Sequence, residues 1–255
     1  MVFSSKPPVA DHPPRRSHWP IPEIKGLGPK AQFRCVGAFG LLVVAAFFWP
    51  LSDGLAGPGM LISLGIYSFA LGIAYFAFGR TYPHAAIGWC NIVTMFRLSL
   101  VSVLVAWLFT PPVGIWSVFA VATLAFALDG LDGWLARREG YVSDFGARFD
   151  MEVDSVLALA LALHAYLYGD VSAFVILLGL PRYIFHVAQT QMPWLARDLP
   201  PRFSRKVVCV LQISALIALQ LPMMRAPLSD LVAGVAAIAL IWSFWLDVRL
   251  LWRVR

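Results

Sequence analysis

Eight apolar runs, each long enough or nearly long enough to cross a bilayer as a helix, occupy most of this 255-residue chain. They fall at about 35–52, 59–79, 92–110, 115–136, 148–168, 171–190, 206–222 and 229–250. Lipid offers no hydrogen-bond partners, so a chain that crosses it must satisfy its backbone internally, as helices or as a closed barrel. These runs are too long for barrel strands and lack their polar–apolar alternation. The expected fold is therefore an all-α polytopic membrane protein. With 60% hydrophobic and 13% charged residues, the composition excludes an ordinary soluble domain.

The cations order these runs across the membrane. Of the 20 Lys and Arg residues, 19 fall in segments that alternate onto one side, and Arg225 is the exception. They lie ahead of the first run, after the second, around the turn between the fourth and fifth, around the turn between the sixth and seventh, and at the C-terminus. The positive-inside rule makes that side cytoplasmic, as in a bacterial-type inner or plasma membrane, with both termini inside. The net charge of +6 then encodes topology rather than nucleic-acid binding. Residues 1–33 read as a Pro-rich basic cytoplasmic tail, since seven of the 18 prolines fall within residues 1–30. His12, His18 and Trp19 lie in this tail without metal-like spacing. Cys35, Cys90 and Cys209 are too far apart for a zinc site or a redox pair and are expected to be buried free thiols.

Four aspartates break the apolar pattern. The stretch DGLDGWLARREGYVSDFGARFDMEVD places Asp129 and Asp132 at the end of the fourth run, and Asp150 and Asp154 at the start of the fifth. Spacings of three and four put each pair on one helical face. Gly133 and Ala136 share the stripe of the first pair, and Gly146 shares that of the second, so a ligand or helix can approach closely. Carboxylates beside lipid need a counter-charge. Two such faces turned together make an oxygen-rich cage suited to hard cations, Mg²⁺ or Mn²⁺. Glu152 points about 200° from Asp150 and is expected off the cage, paired with an Arg or reaching the interface.

The residues Asp129, Asp132, Gly133, Ala136, Arg137, Gly146, Asp150 and Asp154 fit the pattern D-x2-D-G-x2-A-R-x8-G-x3-D-x3-D at every position. In this the chain resembles the CDP-alcohol phosphotransferase (CDP-alcohol phosphatidyltransferase) family, over roughly residues 88–250. The resemblance implies a six-helix core within residues 81–255, to which two extra transmembrane helices (34–80) are added. It also implies displacement of CMP from a CDP-linked lipid, CDP-diacylglycerol, by the hydroxyl of a small alcohol. On this resemblance Asp129, Asp132 and Asp150 are metal ligands, and Asp154 both approaches the ions, two in number, and serves as general base. Members commonly form homodimers.

Further polar residues extend the picture. Asn91, Thr94 and Arg97 are spaced by three at the start of the third run, within about 120° of arc. The family has a similar run lining its cytidine and pyrophosphate pocket, so these three, with Gly133, Ala136, Arg137 and Gly146, are expected to bind the donor. Arg182, and Lys206 followed six residues later by Gln212, resemble bacterial phosphatidylglycerophosphate synthases, although Tyr183 and Val208 depart from that pattern. Together with Arg148 these cations point to a phosphate-bearing acceptor such as glycerol 3-phosphate. Choline, serine and an inositol phosphate remain alternatives within the same chemistry. A transporter or another ion-binding membrane protein is the competing class, but its acids are expected near the bilayer midplane. His84, His164 and His186 read as structural.

Overall fold

The computed structural model describes residues 27–48, 57–111, 114–139, 143–196 and 202–253. Among them there is no strand, and each expected apolar run is mostly helical over its described residues: α1 (Pro29–Phe48), α2 (Pro58–Thr81), α3 (Gly88–Trp107), α4 (Ser117–Glu139), α5 (Asp144–Tyr168), α6 (Ile176–Gly179), α7 (Pro181–Gln191), α8 (Phe203–Ala218) and α9 (Leu228–Arg253). Residues 1–26 of the tail, with His12, His18 and Trp19, lie outside the described residues. The tail ends earlier than expected. Pro29 opens α1, because a proline lacks only an N–H that the first helical turn leaves unpaired anyway.

Six of these helices (α1 to α5 and α9) are long and apolar enough to cross a membrane, and this is an integral membrane protein. The sixth and seventh runs depart from simple spans. The sixth is split into α6 and α7, bent by 64° where Pro181 interrupts the helical ladder. The seventh, α8, has 16 residues and spans about 24 Å, less than the roughly 30 Å hydrocarbon core. Of the three thiols only Cys90 is buried, while Cys35 and Cys209 are exposed on the bundle's surface.

Helix α3 is the axis of the bundle. Fifteen of its 20 residues are buried, and it packs against α1, α2, α4 and α5. Apolar burial against Leu100, Leu104 and Trp107 is joined by polar ties between helices. Ser63 on α2 meets Ser102 on α3 at 3.2 Å. His164 Nε2 lies 2.8 Å from the Leu104 carbonyl, and the Tyr168 hydroxyl donates to the Leu108 carbonyl at 2.7 Å. Such ties average only about 0.6 kcal/mol each in a membrane, yet they fix the rotation of one helix against another. With α5 locked to the far end of α3, its first turns are aligned beside the first turns of α3 and the last turns of α4, where the four aspartates lie.

Candidate active site

The loop side of the site is shaped by local capping. Ser143 precedes α5 and its hydroxyl accepts from the Gly146 N–H at 3.0 Å, which satisfies one of the free amides of the first turn. Asp144 adds a favourable charge at that positive helix end. Gly146 faces Asn91 closely: a Cβ there would sit 3.1 Å from Asn91 Oδ1 and 3.2 Å from Ser143 Oγ. On the α3 side, Gly88 adopts φ +71°, a left-handed conformation that turns the chain into the helix at little cost only for glycine.

The four aspartates converge on one guanidinium. Arg97 projects from α3 with its side chain 0% exposed, and its Nε donates to the Ala125 carbonyl at 3.1 Å. Its Nη1 lies 2.9 Å from Asp132 Oδ2 and 3.1 Å from Asp129 Oδ1, and also donates to Asp150. Its Nη2 donates to Asp154. Thr94 Oγ1 lies 3.1 Å from Asp132 Oδ2 and 3.0 Å from the Cys90 carbonyl, so its single proton serves one acceptor at a time.

Exposure shows which way the cluster opens. Asp132 is 5% exposed, against 30% for Asp129, 36% for Asp150 and 40% for Asp154. Arg97 and Asp132 form a floor, and the other three carboxylates form a rim open to a ligand.

The family implies a divalent cation, and the donor set fits one. One carboxylate oxygen from each of Asp129, Asp132 and Asp150 lies within 4.8 Å of the others, close enough for a shared ion. Four carboxylates against one guanidinium leave a formal charge of −3, which hard cations offset well. Asp154 stands outside this trio, beside it across Arg97.

A family model for CDP-alcohol phosphatidyltransferase matches residues 89–248. The chain belongs to this family. No curated protein and no solved structure matches it in the same comparisons. Membership makes it a transferase acting on a CDP-linked alcohol donor within the membrane. The matched residues begin at α3, so α1 and α2 precede them.

The remaining candidates are distributed as follows. Asn91 is buried, with Nδ2 donating to the Ile87 carbonyl at 2.6 Å. Gly133 is half-buried on α4, one residue beyond Asp132. The side chains of Ala136 and Arg137 lie outside the described residues. Arg148 and Lys206 are exposed. Arg182 is held by Glu152, off the aspartate face as the helical angle predicted for that glutamate.

Sequence reasoning missed two features. Arg97, expected among the donor-binding residues, is also the counter-charge of all four aspartates; the signal is an Arg well inside an apolar run, which needs acids nearby. Asp247 is the other. It is 6% exposed on α9, takes both Nε and Nη2 of Arg205 at 3.1 Å, and lies 3.0 Å from Arg202. A lone acid late in an apolar run carries the same signal.

Proposed function

We propose that the protein transfers a phosphatidyl group from CDP-diacylglycerol to the hydroxyl of a small polar alcohol, releasing CMP, as a step of phospholipid biosynthesis. The observation that carries this reading is the cluster of four aspartates, open at its rim and with Asp129, Asp132 and Asp150 close enough to share an ion, in a chain of this family. Asp129, Asp132 and Asp150, with Asp154 beside them, would hold Mg²⁺ or Mn²⁺, which when bound neutralises the donor pyrophosphate and stabilises CMP as leaving group.

The chain's own residues do the rest. Asp154, the most exposed of the four, accepts the proton of the attacking hydroxyl at a carboxylate oxygen. The hydroxyl oxygen forms a bond to the lipid-bearing phosphorus as the bond from that phosphorus to the CMP oxygen breaks, and CMP leaves with the electron pair. Such displacement depends on positioning and electrostatics more than on covalent help from the protein. Asn91, Thr94, Gly133 and Gly146 line the approach of the donor from α3, α4 and α5, and Arg97 fixes the carboxylates from beneath.

Arg148, Arg182 and Lys206 favour a phosphate-bearing acceptor, glycerol 3-phosphate in the first instance. The aspartate ends of α4 and α5 lie on the side assigned as cytoplasmic by the cation distribution, where a water-soluble acceptor meets a lipid-anchored donor. In this organisation residues 81–255 form the catalytic domain, and residues 34–80 supply two helices added to it. Purified protein supplied with CDP-diacylglycerol, Mg²⁺ or Mn²⁺ and a panel of alcohols is expected to release CMP. Mass spectrometry of the lipid product names the acceptor. Absence of metal-dependent CMP release with every alcohol overturns the reading.

A further inference from the structure

Helices α1 and α2 precede the family's matched region, and a pair of that kind serves as an anchor if it meets the rest only through apolar packing. It does more. Gln32 on α1 is 3% exposed and uses both ends of its amide: Oε1 accepts from the Ile87 N–H at 3.0 Å, and Nε2 donates to the Leu27 carbonyl at 2.9 Å. Ile87 immediately precedes the left-handed Gly88, so the bond from Gln32 holds the turn that launches α3. Tyr82, which ends α2, closes the same turn from the other side. Its hydroxyl donates to the Ala86 carbonyl at 2.6 Å and accepts from Asn91 Nδ2 at 3.4 Å. Its ring stacks on Phe78 at 4.3 Å.

The grip extends to α5. Phe78 and Phe33 both reach Phe145, at centroid distances of 5.2 and 6.3 Å, and Phe145 directly precedes Gly146. The two N-terminal helices thus hold the start of α3 and the start of α5, the two segments that meet at Asn91 and Gly146. A buried amide satisfied at both ends is geometrically demanding, because leaving either end unpaired costs its full desolvation.

We infer that the α1–α2 pair is a positioning wall of the donor site, in which Gln32 and Tyr82 set the orientation of the Asn91 amide through the 82–88 turn. This rests on the reading of Asn91 as a donor contact. Gln32 acts on Asn91 through the turn, and Tyr82 acts both through the turn and by accepting directly from Asn91 Nδ2.

The test uses the full-length protein in detergent, as wild type, Gln32→Leu and Tyr82→Phe. Tyr82→Phe keeps the ring stack on Phe78 and removes only the hydroxyl. Hydrogen exchange across residues 83–91 is expected to quicken in both variants. The donor KM is expected to rise about three- to tenfold, the size of a lost neutral hydrogen bond, while the acceptor KM stays at the wild-type value. A purely structural role moves neither KM selectively. An active wild type whose two variants show unaltered exchange at 83–91, or equal rises in both KM values, overturns the inference alone. A wild type that releases no CMP overturns the reading of the site, and with it the donor half of the inference, whatever the exchange shows.

Discussion

Arg97 and Asp132 meet at 2.9 Å between α3 and α4, both shut away from solvent, and this pair is the floor on which the other three aspartates stand. The remaining carboxylates draw the same guanidinium outward, so a single cation organises acids from two helices. Removing one partner of a buried ion pair leaves its mate uncompensated.

Arg97→Met is therefore expected to lower stability in metal-free buffer by roughly 3–5 kcal/mol, the range for a broken buried pair. The sign of the metal effect follows from charge. Without Arg97 the site carries a formal −4 rather than −3, and no guanidinium competes for the oxygens. Mn²⁺ is expected to raise the melting temperature of Arg97→Met more than that of the wild type, by the mass-action stabilisation of any ligand bound only by the folded state. Thermal melts in detergent, with EDTA and with Mn²⁺, check this. Equal melting of the two proteins in EDTA refutes the role given to Arg97.

Asp154 and Asp132 are expected to separate chemistry from metal binding. In Asp154→Asn an amide oxygen can still accept from Arg97 Nη2, but no carboxylate takes the hydroxyl proton. CMP release is expected to fall by about 10²- to 10⁴-fold, the usual contribution of a general base, while Mn²⁺ still stabilises the protein. Asp132→Asn, within the trio whose oxygens converge, is expected to lose both CMP release and metal stabilisation. CMP release that persists in Asp154→Asn removes its assignment as base.

The aspartate spacing of three and four, with glycines on the same stripes, identifies two helical faces before any fold is known, because i, i+3 and i, i+4 neighbours are fixed by helix geometry alone. Which third helix meets them is a question of tertiary packing. Arg97 lies 32 residues before Asp129 in sequence, and nothing local says that its guanidinium turns into the acids rather than toward a phosphate. The break at Pro181 is a local effect, yet apolar composition continues across it, so hydropathy alone reads one span. Gln32 and Tyr82 were silent for a related reason: a single amide and a single hydroxyl beside apolar runs acquire meaning only from the backbone groups they reach.

Gly146 gives a prediction about tolerance at the junction of α3 and α5. A methyl group placed there meets Asn91 Oδ1 at 3.1 Å and Ser143 Oγ at 3.2 Å, tighter than ordinary van der Waals contact. Gly146→Ala is expected to raise the donor KM by displacing Asn91, while the overpacking is set against the roughly 1 kcal/mol that alanine gains over glycine inside a helix. Ser143→Ala alone is expected to cost about 1 kcal/mol by removing the α5 cap, with little change in donor KM. Melting temperatures and KM values for each variant distinguish the two. A wild-type donor KM in Gly146→Ala shows that Asn91 is not a donor contact.

Arg182 provides the sharpest test of the acceptor. Its partner Glu152 is 59% exposed, and an ion pair at such a site is worth only about 0–1 kcal/mol. An incoming phosphate can replace that carboxylate at small cost, since a guanidinium binds either through the same fork of donors. Arg182→Gln and Lys206→Gln are each expected to raise the KM for a phosphate-bearing acceptor severalfold more than the KM for CDP-diacylglycerol. Glu152→Gln is expected to act in the opposite direction, lowering the acceptor KM by freeing Arg182 from its competitor. Steady-state kinetics with the acceptor varied at saturating donor, then the donor varied at saturating acceptor, separate the two constants. If Arg182→Gln raises the donor KM instead, the cation serves the CDP-linked phosphates and the acceptor need carry no phosphate.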